Sequence, residues 1–236
     1  ALGMLLGLWV AYPVIVPEAL TNPVGYLLSV AALVAVCYVV WRDASGLVGR
    51  ALADRPSRWF GAGTGVVAGL FFAFSMGMLT FVPEPGGNVD LSESFVTTVR
   101  VANPLVYWPG VEFHVHDFVG TMPLSGVLSV GMVGMVGLVA ALVGLNAALL
   151  GYQWRANDAT GSAEVTTGTA AVAAPNACCC CGPVVAELAV VSVGPAAAAP
   201  LYWLFVDLAS PLGALFFVTS VALLVGNLAR AGRNVM

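Results

Sequence analysis

From Met122 to Tyr152 the chain runs for 31 residues without a charged side chain, and from Val24 to Trp41 it does so for 18. Few folds accept such stretches. A bilayer has a hydrocarbon core about 30 Å thick and a helix rises about 1.5 Å per residue, so about 20 apolar residues cross it. The remainder of the chain has the same character: 8% of residues are charged and 60% are hydrophobic, with a mean hydropathy of +0.95. Soluble domains carry about 25% charged residues. The sequence therefore predicts a chain solvated by lipid.

Six spans are expected, at 2–20, 24–41, 59–82, 122–152, 176–206 and 211–228. The predicted fold class is all-α: a polytopic transmembrane helical bundle forming a single membrane domain over 1–236. Pro13 and Pro17 interrupt the first span, which carries Glu18 and has no charged leader before it; it reads as either a short span or a truncated one. The fourth span is longer than a crossing needs, which implies tilt or projection from the bilayer. Residues 84–118 are expected outside the membrane, as an interfacial hairpin or a surface helix with Tyr107 and Trp108 at headgroup level. Residues 42–58 and 155–174 are expected as cytoplasmic loops.

Alternating the six spans places Arg42, Arg50, Arg55, Arg58, Arg155, Arg230 and Arg233 on one side and Arg100 on the other. The positive-inside rule makes the first side cytoplasmic, with both termini there and the protein multi-pass in the plasma membrane. All eight basic residues are Arg and the net charge is -4, which leaves no basic surface for nucleic acid. Absent Lys and abundant Ala, Val and Gly suggest a GC-rich, salt-adapted source. Gly61, Gly65, Gly69, Ala73 and Gly77 repeat every four residues, so one face of the third span is nearly bare backbone. Such a face admits a second helix closely, either within the bundle or at a self-association or subunit seam. Gly131, Gly134 and Gly137 repeat the theme in the fourth span.

Two clusters carry chemistry. The first is Cys178, Cys179, Cys180 and Cys181, followed by Gly182-Pro183 and by Glu187 within an apolar run. Only thiolates bind soft cations tightly, and a carboxyl at membrane depth is costly unless it is protonated, paired or beside water. With Asn176 as N-cap the thiols lie in and just past the first helical turn, where unpaired N–H groups favour thiolate. A helix puts only Cys178 and Cys181 on one face; if Pro183 starts the helix instead, three thiols converge in a loop. Cys37, alone in an apolar run, reads as a small hydrophobe.

The run Cys180-Cys181-Gly182-Pro183 at the head of an apolar helix resembles the vicinal-cysteine helix of small mercuric-ion transporters. That resemblance implies that Cys180 and Cys181 carry an ion. The chain as a whole is similar to haloarchaeal membrane proteins associated with haem-copper oxidases, which implies a link to a respiratory complex.

The second cluster is Glu112, His114, His116 and Asp117, which holds both histidines of the chain. In an extended segment Glu112, His114 and His116 share a face; in a helix His114 and Asp117 are the nearer pair. His-x-His flanked by carboxylates suits copper or zinc. Met76, Met78, Met122, Met132 and Met135 read as packing residues, since Met fills gaps between helices. There is no phosphate-binding Gly-Lys-Ser/Thr, nucleophile elbow, His-Glu-x-x-His or Cys-x-x-Cys-His, so no catalyst is specified. Both histidines lie in one segment, so no haem is expected. The expected function is handling of a soft metal ion, most simply copper, moved or delivered, with a respiratory oxidase as a candidate recipient. The alternatives are a non-catalytic subunit or assembly factor of a respiratory complex, and a membrane thiol oxidoreductase.

Overall fold

The computed structural model describes residues 2–15, 21–76, 78–79, 94–102, 106–119, 122–158 and 211–233, with residues 189, 192, 194 and 200. Five helices occur among them: α1 (Leu2–Ile15), α2 (Pro23–Ala53), α3 (Arg55–Ser75), α4 (Val130–Asp158) and α5 (Pro211–Arg233). Between α3 and α4 come three strands, β1 (Phe95–Ala102), β2 (Tyr107–Val119) and β3 (Met122–Ser129), paired antiparallel in the order β1-β2-β3.

The six-span all-α bundle is thereby corrected. Among the described residues two helices, α2 and α4, are long and apolar enough to cross a membrane. The expected external segment supplies β1 and most of β2, and the first eight residues of the expected fourth span are β3. The physical reason is local. Phe95-Val-Thr-Thr-Val-Arg-Val is dense in β-branched residues, which suit a pleated surface better than a helix. Ser125, Val127 and Ser129 of β3 alternate with Leu124, Gly126 and Leu128, a period of two within an uncharged run. The expected fifth span, 176–206, lies outside the described residues apart from 189, 192, 194 and 200.

Side chains fix the helix ends. Asn22 Oδ1 accepts from the Val24 N–H at 3.0 Å and Pro23 opens α2. Asp54 then serves two helices: its N–H bonds the Arg50 carbonyl at 3.2 Å, and its Oδ2 accepts from the Ser57 N–H at 3.2 Å. With Pro56 just inside α3, this leaves one residue between helices, so the stretch read as a loop at 42–58 is helical except at Asp54. At the other junction β3 passes into α4 with no loop, and Ser129 Oγ accepts from the Met132 N–H at 3.2 Å.

The glycine face of α3 meets α4, which runs antiparallel to it. A Cβ on Gly61 would lie 2.6 Å from both Ala148 Cβ and the Gly144 carbonyl oxygen; one on Gly65 would lie 3.0 Å from the Ala140 oxygen. The partner face is Ala140, Gly144 and Ala148, whereas Cβ atoms on Gly134 and Gly137 would meet nothing within 4 Å. Gly77 lies outside the described residues. Between α4 and α5 the fully buried Asn146 donates to the Leu142 carbonyl at 2.8 Å, and its Oδ1 accepts from Asn227 Nδ2 at 2.7 Å. In an apolar interior this pair fixes helix register. Met132, Met135 and Met78 are buried among apolar side chains, as packing residues.

The sheet sits at one end of the helices. The Tyr26 hydroxyl donates to the Tyr107 carbonyl, Gly25 lies against Val106, and Gly126 lies against the Met78 carbonyl. At the opposite end Arg155 pairs with Asp54, and Gly232 lies against the Asp43 carbonyl. Seven arginines thus gather away from the sheet, and Arg100 lies on β1. On α2, Leu27, Val34 and Trp41 share a seven-residue spacing and are 70%, 59% and 69% exposed. Water penalises such a stripe and hydrocarbon does not.

Replacing Gly61 by Val should lower stability by about 1–3 kcal/mol, since the added carbons meet backbone that cannot give way. Gly63→Ala, on open space, should gain up to about 1 kcal/mol from reduced chain entropy. Thermal melts of the two variants in detergent should move in opposite directions.

Candidate functional site

Cys178, Cys179, Cys180, Cys181 and Glu187 lie outside the described residues. The other expected ligands, Glu112, His114, His116 and Asp117, all fall on β2, so the extended alternative is the one adopted. In the ladders His114 stands between Phe95 of β1 and Ser125 of β3, and Glu112 between Thr97 and Val127. Glu112 and His114 are thus successive residues on one face, about 7 Å apart along the strand. Beyond that the alternation is not held: β2 pairs with β3 up to Val115 and resumes only at Val119. His116 is exposed, and its N–H bonds Ser94 Oγ at 3.0 Å; the Asp117 side chain lies outside the described residues.

His114 is the unusual member, with 1% of its surface exposed. Phe95 stacks on the imidazole, with centroids 5.7 Å apart and planes at 20°. Nδ1 lies 2.7 Å from Ser125 Oγ, and Nε2 has no hydrogen-bond partner among the described residues. Leaving a buried polar nitrogen unmatched costs about 1–3 kcal/mol. When Nδ1–H donates to Ser125, the free Nε2 presents a lone pair and the ring is locked against Phe95. A metal-binding histidine likewise has one nitrogen held by an outer partner, but here the second nitrogen is buried as well as unpartnered among the described residues.

Among the described residues the sheet does not complete a metal site. No group of three or more His, Cys, Asp or Glu that could hold an ion occurs among the described residues. Glu112 and His114 supply two donors on one face, and a closed zinc or copper site takes three or four. The Ser125 and Phe95 partners of His114 were invisible in the sequence, because they depend on strand register; the polar Ser125 within an apolar run was the one available signal.

No family model matches the chain, and neither a curated protein nor a solved structure matches it.

Ser125→Ala should destabilise the fold by about 1–3 kcal/mol by orphaning Nδ1. In a His114→Phe background, where the ring stack remains and both nitrogens are gone, the same change should cost about nothing beyond its lost contacts. Denaturation midpoints of the four proteins check this coupling.

Proposed function

We propose that this chain is a multi-pass plasma-membrane protein that binds a soft or borderline metal ion, copper foremost, and moves or delivers it. The observation that carries the reading is the buried His114 imidazole, held through Nδ1 by Ser125 with Nε2 buried and unpartnered among the described residues. A ring built only for packing gains nothing from an unmatched nitrogen, whereas a ligand needs one. Glu112 on the same face adds a carboxylate. The four thiols at Cys178–Cys181, with Glu187, are the second ligand group in this reading and favour a soft ion. A respiratory oxidase is the proposed recipient.

Orientation follows from charge. Seven arginines gather at the end away from the sheet, which under the positive-inside rule supports a cytoplasmic location for that end and an outer one for the sheet. In this reading α1 begins and α5 ends toward the cytoplasm, since Tyr12, near the end of α1, lies beside Gly25 at the sheet end and α5 finishes beside Asp43. The subunit alternative keeps no observation of its own, because α4 covers the glycine face that would dock a partner.

Copper content of the purified protein, loaded with Cu(I) or Cu(II), should drop at least several-fold in His114→Phe and again when Cys178–Cys181 become Ser. Equal, near-zero metal in wild type and both variants would remove the metal reading. Sidedness has its own test, helped by the absence of lysine. A membrane-impermeant amine reagent applied to intact cells should label Thr98→Lys on the sheet and spare Arg58→Lys; the reverse pattern would invert the topology.

A further inference from the structure

Asp54 is a common origin for heights on two helices. α2 ends one residue before it and α3 begins one residue after it, and both run from there toward the sheet along α4. α3 keeps step with α4, since Gly61 faces Ala148 and Gly69 faces Ala140. α2 does so as well: Asp54 pairs with Arg155, and 24 residues nearer the sheet Val30 lines one cavity with Gly131, also 24 residues nearer it on α4. At about 1.5 Å per residue, counting from Asp54 therefore gives the height on either helix.

The outward faces of the two helices change character at different heights. On α2 the exposed residues nearest Asp54 include Ser45, Gly46, Gly49 and Arg50, with Leu52 the one large apolar side chain among them. Arg42, about 18 Å up, closes this stretch. From Trp41 to Val24 every exposed residue of α2 is apolar or aromatic, a band from about 20 to about 45 Å. On α3 Arg55 and Arg58 are exposed, Arg58 about 6 Å up. From Trp59 to Phe74 every exposed residue is again apolar or aromatic, a band from about 8 to about 30 Å. Each band is close to the thickness of a hydrocarbon core, about 30 Å. Each is bounded on the Asp54 side by an arginine beside an exposed tryptophan, Trp41 at 69% and Trp59 at 65%, the residue types that settle at headgroup level. The bands are nevertheless offset, by about 12 Å at that edge and about 15 Å at the sheet edge. A slab with parallel faces covers both only when it is inclined to the helices, and anchors of this kind are what set tilt.

We propose that the bilayer meets this bundle obliquely, with the headgroups of the arginine-side leaflet at Trp41 and Arg42 on α2 and, about 12 Å nearer Asp54, at Arg58 and Trp59 on α3. Arg42 lies 5.7 Å over the Tyr38 ring and spends two N–H groups on Asp43, which leaves its other three for lipid phosphate. The last three turns of α2 then stand in water while equal heights on α3 lie in hydrocarbon. The proposal rests on placement in a bilayer and is independent of metal binding.

Ser45 on α2 and Gly63 on α3 provide the test. Each is nine residues from Asp54, both are exposed, and a Cβ on Gly63 would meet nothing within 4 Å. Ser45→Cys and Gly63→Cys are reconstituted into phosphatidylcholine–phosphatidylglycerol discs and treated with a charged, membrane-impermeant maleimide, and modified sites are mapped by mass spectrometry. A thiol reacts as thiolate, which hydrocarbon suppresses. The thiol at position 45 should react at least ten-fold faster than the one at position 63, and the two at equal rates in denaturant. Native Cys37, exposed on α2 at about 25 Å and so inside its apolar band, should stay unmodified in the discs. If Gly63→Cys fails to fold, Ala62→Cys, exposed one residue away, serves in its place. Equal rates at the two positions in discs, or a faster rate at 63, overturn the oblique seat. Modification of Cys37 as fast as in the denatured chain overturns bilayer placement itself, which separates that failure from failure of the tilt.

Discussion

The contact between α3 and α4 sets the geometry of the rest. With Gly61 and Gly65 facing Gly144, two backbones approach more closely than any side chain would allow. In lipid, where burying apolar surface between helices gains little, such packing is a main source of association. The contact also fixes α4 along its axis, and α4 carries the sheet at one end and Asn146 at its middle. Asn227 on α5 then takes its register from Asn146. A chain this poor in charge holds its helices with shape and a few well-placed amides, and the one interhelical ion pair described, Arg155 with Asp54, lies at the bundle's end.

The parts of the fold that were legible were those written as period or punctuation. The uncharged runs marked α2 and α4, and the four-residue spacing of Gly61, Gly65 and Gly69 marked a close helix contact. The sheet was not legible, for two physical reasons. β3 has no charge, Pro-Gly turn or polar cluster separating it from α4, so strand and helix read as one overlong span. β1 and β2 lie in a stretch whose aromatic patches equally suit a membrane interface, and only pairing distinguishes the two. The true partner face of α4, Ala140-Gly144-Ala148, was hidden because Ala is a small residue that sequence reading passes over in favour of Gly131, Gly134 and Gly137.

The candidate site shows the same division. That Glu112 and His114 would share a face in an extended segment was a matter of alternation and could be read directly. That His116 would lie apart, exposed and tied by its backbone to Ser94, could not, because the irregularity between Val115 and Val119 is a property of pairing with β3. Burial of His114 depends likewise on Phe95 and Ser125, which lie on different strands. Chemistry that rests on residue type was visible in one dimension; chemistry that rests on which nitrogen is left open needed three.

The junction between Ser129 and Val130 has one more implication. A strand alternates faces with every residue, and a helix turns about 100° per residue. With no loop between β3 and α4, nothing absorbs a change in length there. One inserted residue would either invert β3, turning Ser125 away from His114, or rotate α4 so that Gly144 no longer faces Gly61. The junction therefore acts as a ruler that ties the sheet's phase to the helix's azimuth, and a chain built this way tolerates substitution at that point far better than insertion or deletion.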